Sequence, residues 1–186
     1  MMDYKKYQVS RDLAWQILLN EGVTELPVDI VKLCHSMGIR VQYYTPDDGN
    51  DGKCTIILGR PRIFVSANSS VERQRFTIAH ELGHILLGHV GKYELVNREP
   101  SSKDNPIEQE ANVFASRLLA PACVLWGLGI REPKDIAKLC RISMTAAQFR
   151  AERMAILYER NKFLISPIER NVYNQFEEFI REKRRL

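Results

Sequence analysis

The 186-residue sequence predicts an α+β fold: helices around a small antiparallel sheet, followed by a helical region of helix-turn-helix type. Three observations lead there. Apolar residues recur at helical spacing on both sides of a short block of strand-like segments, Ile39 to Ala67. Glycines and prolines punctuate these segments where elements should end. From Pro133 onward the chain reads as successive helices with brief interruptions.

Taken in order, RDLAWQILLNEG is a helix stopped by Gly22. LPVDIVKLCHSMG is a second, ended by Gly38, with Ile30, Val31, Leu33, Cys34 and Met37 at helical spacing. IRVQYY is a strand and PDDGNDG a turn. CTIIL and RIFVSA, split by GRP, form a hairpin. NSSVERQ opens the next helix, with Ser69 and Glu72 as a capping box, and that helix runs to about Gly88. KYELVNREPSSKDNP is a surface loop. IEQEANVFASRLLA is a helix closed by Pro121, and PACVLWGLGI is a link. Two helices around a short turn follow, then a final helix, IERNVYNQFEEFIREKRRL, with a basic finish. The expected division is a core over residues 1–122, a helix-turn-helix-like region over 123–160 and a C-terminal helix with basic tail over 161–186.

Composition narrows the class. A net charge of +4 tolerates an acidic partner without demanding one. No apolar run approaches the roughly 20 residues that cross a bilayer, and the N-terminal lysines are not followed by the apolar segment of a secretory signal. Cys34, Cys54, Cys123 and Cys140 are widely spaced and form no CxxC pair. These features predict a cytoplasmic protein whose cysteines act as small hydrophobes.

The chemistry concentrates in FTIAHELGHILLGH, Phe76 to His89. In a helical HExxH the two histidines lie one turn apart on one face, so His80 and His84 reach one zinc ion at about 2.0–2.1 Å. Glu81 sits beside that face, where a general base for a metal-activated water belongs. Two imidazoles and a carboxylate inside an otherwise apolar strip would be costly without such a partner.

The motif supplies two ligands, and the third must come from elsewhere. His89 is out of register with the longer HExxHxxGxxH pattern, since positions 87 and 90 are Leu87 and Val90. At about 100° per residue it also points away from His80, although a break at Gly88 would redirect it and keeps His89 as a lesser candidate ligand. Its expected place is the helix end, where an imidazolium suits the dipole. The following helix offers Glu108 and Glu110 on nearly opposite faces. Ala111, Asn112, Ala115, Leu118 and Leu119 share the face of Glu108. Glu108 is therefore the preferred third ligand, with Glu110 as alternative. Asn112 is placed to hydrogen-bond His80 or His84.

RFTIAHELGHILLGH, followed by E-x-E-A-N-x-F-A-x-x-L-L-x-P, resembles the ImmA/IrrE family of zinc metallopeptidases, and LPVDIVKLCHSMGIRV is similar to its lead-in. The resemblance covers most of residues 10–160. It implies a zincin-like metallopeptidase core, zinc held by His80, His84 and Glu108, and Glu81 as the catalytic base. It also implies hydrolysis of a protein substrate, with a repressor-type transcription factor as its class, since family members with known roles act on repressors. Tyr93 is a candidate to stabilise the oxyanion. One departure is Ala120, where the family often has methionine.

DIAKLCRISMTAAQFRAERM has helix-turn-helix character, with Ile136, Ala137 and Leu139 on the first helix. Ser143 caps the second, which carries Ala146, Ala147, Phe149 and Met154 on its apolar side. Arg150 and Arg153 are the side chains available to phosphate, against which stand Arg141 in the turn and Glu152 on the basic face. DNA is thus the lesser partner beside protein, and no membrane is expected. The competing function is a non-catalytic regulator or toxin–antitoxin-type protein that binds protein or DNA around a structural zinc.

Overall fold

The computed structural model describes residues 7–46, 49–90 and 105–185. Helix α1 is Gln8–Asn20 and α2 is Ile30–Ser36; strands β1 (Arg40–Tyr44), β2 (Gly52–Ile57) and β3 (Arg60–Ser66) follow. Next come α3 (Val71–Leu86), α4 (Pro106–Leu119), α5 (Ala122–Leu128), α6 (Pro133–Cys140), α7 (Met144–Glu159), α8 (Pro167–Gln175) and α9 (Glu177–Arg184). The fold is α+β, mostly helical with one three-stranded sheet. It divides into two compact units, Met1–Ser10 with Asp29–Ala115, and Arg11–Val28 with Ser116–Leu186.

In the first unit Asp29 caps α2 by accepting from Lys32 N–H at 3.0 Å. The sheet corrects one expectation, because it is mixed rather than antiparallel. Its order is β1-β3-β2, with β2 antiparallel and β1 parallel to β3. The reason is burial. Ile63 and Val65 on β3 are fully buried and belong in the centre, while β1 and β2 carry exposed Tyr43, Ile56 and Ile57 and take the edges. The hairpin turn is Leu58–Gly59, both with positive φ, so Pro61 lies within β3 opposite Ile56.

α3 packs on β2 and β3. Its cap is Ser70, which accepts from Arg73 N–H, and not the expected Ser69–Glu72 box. Ser69 instead donates to Asp51 at 2.9 Å, and the Arg73 guanidinium also bonds that carboxylate. Arg73 holds Asp51 below its ordinary carboxyl range. The start of α3 is thereby tied to the segment entering β2. Where β2 begins, Gly52 lies so close to Thr77 that a Cβ would overlap it.

In the second unit the expected link after Pro121 is helix α5, ended by Gly129 with φ of 72°. The stretch Pro106–Leu128 is apolar and long enough to cross a bilayer by composition, but most of it is buried, as in a core helix. The final helix is two, α8 and α9, broken at fully buried Phe176. Cys34, Cys123 and Cys140 are buried and all four cysteines are free. Burial pushes the Cys34 and Cys123 thiols up to about 12, so they are inert.

α6 and α7 form the helical pair, with Ser143 capping α7 through Ala146 N–H at 3.2 Å. Arg141, at the end of α6, has φ of 50°, the left-handed conformation that glycine would take there more readily. Two side chains change places relative to expectation. Phe149 is 68% exposed, whereas Arg150 is 1% exposed. Ala147, Arg150 and Met154 share the buried stripe, at offsets of three and seven, and Phe149 falls outside it. Arg150 Nε donates to the Ala120 carbonyl at 2.6 Å. That cation is inside the protein and is not offered to phosphate. Burial lowers its pKa to about 10.

The exchange is testable by urea unfolding. Arg150→Ala should cost about 3 kcal/mol, since it deletes a large buried side chain and strands a buried carbonyl. Phe149→Ala should stay within about 0.5 kcal/mol of the parent. Equal losses in the two variants would contradict this packing.

Candidate metal centre

The centre is built by α3 and the first half of α4. α3 places His80 and His84 one turn apart, and both rings turn Nε2 towards a common point, with the two atoms 3.0 Å apart. From α4, Glu108 brings Oε2 to 3.1 Å from His80 Nε2 and Oε1 to 3.4 Å from His84 Nε2. One donor atom from each of the three residues lies within 4.8 Å of the other two. Ligands about 2.0–2.1 Å from a tetrahedral metal stand about 3.3 Å from one another. The observed separations of 3.0–3.4 Å suit that arrangement.

The donor chemistry suits a cation as well. His80 Nδ1 lies 2.9 Å from Asn112 Oδ1. An amide oxygen only accepts, so the ring proton sits on Nδ1 and Nε2 offers a lone pair inward. Glu108 turns both carboxylate oxygens toward the same point, Oε2 toward His80 and Oε1 toward His84. Ring nitrogens and an ionised carboxylate aimed at one point are satisfied together by a cation between them. Glu81 is 2% exposed, next to His80 on the buried side of α3.

The two helices approach closely because residue 83 is glycine. A Cβ there would meet the Phe114 ring at 3.0 Å and the Ala111 Cα at 3.3 Å. The small residue that brings α3 against α4 is thus the glycine inside HELGH, matched by Ala111 across the contact. Ala111, Phe114 and Ala115 are fully buried, while Asn112 stands at the exposed rim.

His89 occupies a position that helical extrapolation missed. α3 ends at Leu86, Gly88 takes φ of 72°, and His89 N–H donates back to the His84 carbonyl at 2.9 Å. The chain folds back and puts His89 Nδ1 2.9 Å from His84 Nδ1. His89 Nε2 lies 3.2 Å from Glu110 Oε2. Burial, then the neighbouring His84, lowers the His89 pKa, which opposes the imidazolium expected at this helix end. Glu110, the alternative third ligand, does not join the cluster and faces His89 instead. The signal present in the sequence was Gly88, a helix terminator one residue before a histidine. Tyr93 lies outside the described residues.

Comparison with known proteins agrees with the motifs. The profile of a peptidase family described as the IrrE N-terminal-like domain matches residues 34–152. No curated protein matches the sequence. A solved structure, a Mycobacterium tuberculosis transcriptional regulator, is similar with a TM-score of 0.53 at 16% identity. The match covers 75% of this chain and 46% of that one, so the chain spans less than half of the regulator. At that identity the likeness concerns the fold.

Gly83→Ala measures how tightly the two helices must approach. Helix propensity favours alanine by about 1 kcal/mol. Overpacking costs about 1–3 kcal/mol, and one neighbour is α4 backbone that cannot rotate away. The expected result is a melting temperature lower by about 2–4 °C, with weaker zinc uptake because Glu108 moves with Ala111. A melting temperature at or above that of the parent would show slack at this contact.

Proposed function

The chain belongs to the ImmA/IrrE family, and from that premise we propose that it is a zinc-dependent metallo-endopeptidase acting on a protein substrate. The observation that carries this reading is the convergence of His80, His84 and Glu108 beside the buried carboxylate of Glu81. These three residues would hold the metal. Two histidines and a glutamate are the donor set of catalytic zinc, with one position left open. When bound, zinc supplies a Lewis acid that polarises the scissile carbonyl and makes water acidic near neutral pH.

The remaining work belongs to the protein's own groups. Glu81 accepts the proton of the attacking water and returns it to the leaving amine. Asn112 fixes the ring of His80 so that Nε2 stays turned inward. Helix α3 keeps Glu81 and His80 in one rigid element, so base and ligand cannot drift apart. The core carrying these groups is read as zincin-like: one helix bearing HExxH against a small sheet, and a second helix bearing the glutamate.

For the substrate we propose a repressor-type transcription factor, on the strength of the family's known roles. We also propose a cytoplasmic location, which the four free thiols support. The α6–α7 pair favours a second reading, a regulator that binds protein or DNA around a structural metal. An acidic residue in the position of the general base favours the enzyme, because a structural site makes no use of it.

Glu81→Gln separates the two readings. The variant should bind zinc as the parent does and lose, by at least about 100-fold, cleavage of a repressor-type protein that the parent cleaves. Chelation should abolish cleavage by the parent, and added zinc should restore it. Full activity in Glu81→Gln would remove Glu81 as base, and parent activity that survives chelation would remove the metallopeptidase reading.

A further inference from the structure

We propose that Glu110 and His89 form a relay that fixes the proton of His84 on Nδ1, so that His84 presents a lone pair to the metal. The proposal rests on the metal-binding reading of His80, His84 and Glu108, and it assigns two positioning residues that lie outside that set.

The relay follows from which atoms can donate. A carboxylate only accepts, so the contact of 3.2 Å between Glu110 Oε2 and His89 Nε2 requires the proton on His89 Nε2. A neutral imidazole has a single N–H, and His89 Nδ1 is therefore an acceptor. It lies 2.9 Å from His84 Nδ1, which must then donate. With its proton on Nδ1, His84 turns a bare Nε2 to within 3.0 Å of His80 Nε2 and 3.4 Å of Glu108. The other tautomer of His84 would oppose two acceptors across the His84–His89 contact and turn an N–H inward.

His80 receives the same service by a direct route, from Asn112. His84 is buried at 2% side-chain exposure, and the atom that meets its outer nitrogen is supplied by His89, which Glu110 orients in turn. The left-handed turn at Gly88 makes this possible by returning His89 onto the last turn of α3. An outer hydrogen bond of this kind raises the basicity of a ligating histidine as well as orienting it.

The test uses the full chain labelled with nitrogen-15. Long-range proton–nitrogen correlation of the metal-free protein reads the tautomer of His84, and competition with a chromogenic chelator reads zinc affinity. In the parent, His84 should carry its proton on Nδ1 and His89 on Nε2. Glu110→Ala should give a mixture of His84 tautomers and bind zinc about 10–100-fold more weakly. Glu110→Gln, whose amide oxygen still accepts, should recover most of that loss. His89→Ala should weaken zinc binding to at least the same degree, and adding Glu110→Ala to it should cost nothing more, since both act along one path. Glu110 is partly exposed, at 32% of its side chain, so its variants carry the test if His89→Ala does not fold. An unchanged His84 tautomer with zinc affinity within about twofold of the parent in Glu110→Ala would overturn the relay alone. A parent chain that takes up no zinc would overturn the relay and the metal site together.

Discussion

The structure turns on one constraint: electron-rich atoms from two helices must be held at one point although they repel one another. The Nε2 atoms of His80 and His84 and the carboxylate of Glu108 stand 3.0–3.4 Å apart. In a protein interior such a cluster gains nothing on its own, because desolvated acceptors without donors are unfavourable. The surrounding fold must impose it. Gly83 lets α4 approach α3 to near backbone contact, and the buried Ala111, Phe114 and Ala115 hold it there. The sheet, with fully buried Ile63 and Val65 in its central strand, backs α3. Asp51 ties the start of α3 to the segment leading into β2 through Ser69 and Arg73. Local stability is given up at one spot and recovered in the packing around it, which is how functional sites depart from an otherwise consistent sequence.

α4 governs the cluster through three side chains in five residues. Glu108 faces inward. Asn112, one turn later on the same side, meets the outer nitrogen of His80. Glu110 lies about 200° around the helix from Glu108 and reaches the cluster because the end of α3 doubles back to meet it. Two acidic residues of similar chemistry thus have different surroundings. Glu108 faces the Nε2 atoms of two histidines, while Glu110 accepts from the Nε2 of one.

Much of this was legible in the sequence, and the failures share a physical origin. Helical phase found α3 and α4 and put Glu108, not Glu110, on the side of α4 that meets His80 and His84, because both judgments concern residues on one continuous helix. Phase failed at His89, where Gly88 ends the helix and an angle of 100° per residue no longer applies. Strand alternation marked three strands but not the parallel pairing of β1 with β3, since alternation encodes a strand's faces and not its neighbour. Ser69 and Ser70 are equivalent as caps by residue type, and only the tertiary partner Asp51 separates them. Residue type alone groups apolar Phe149 with Ala146, Ala147 and Met154. The positions of Ala147 and Met154 already placed Arg150 on the buried stripe, so here the phase was right and residue type misled.

The buried Arg150 also bears on what the α6–α7 pair is for. The last carbonyls of a helix have no partner within it, and Ala120 follows directly on the end of α4. A guanidinium there satisfies a carbonyl and suits the negative end of the helix dipole. A recognition helix that reads phosphate needs its cations outside, where they displace counterions. α7 does the reverse with this residue: it buries the cation and exposes Met144 and Phe149. Its outer surface is therefore less basic and more apolar than helix-turn-helix topology alone would suggest. Topology fixes the angle between two helices, and the function of the pair follows from which side chains that angle turns outward.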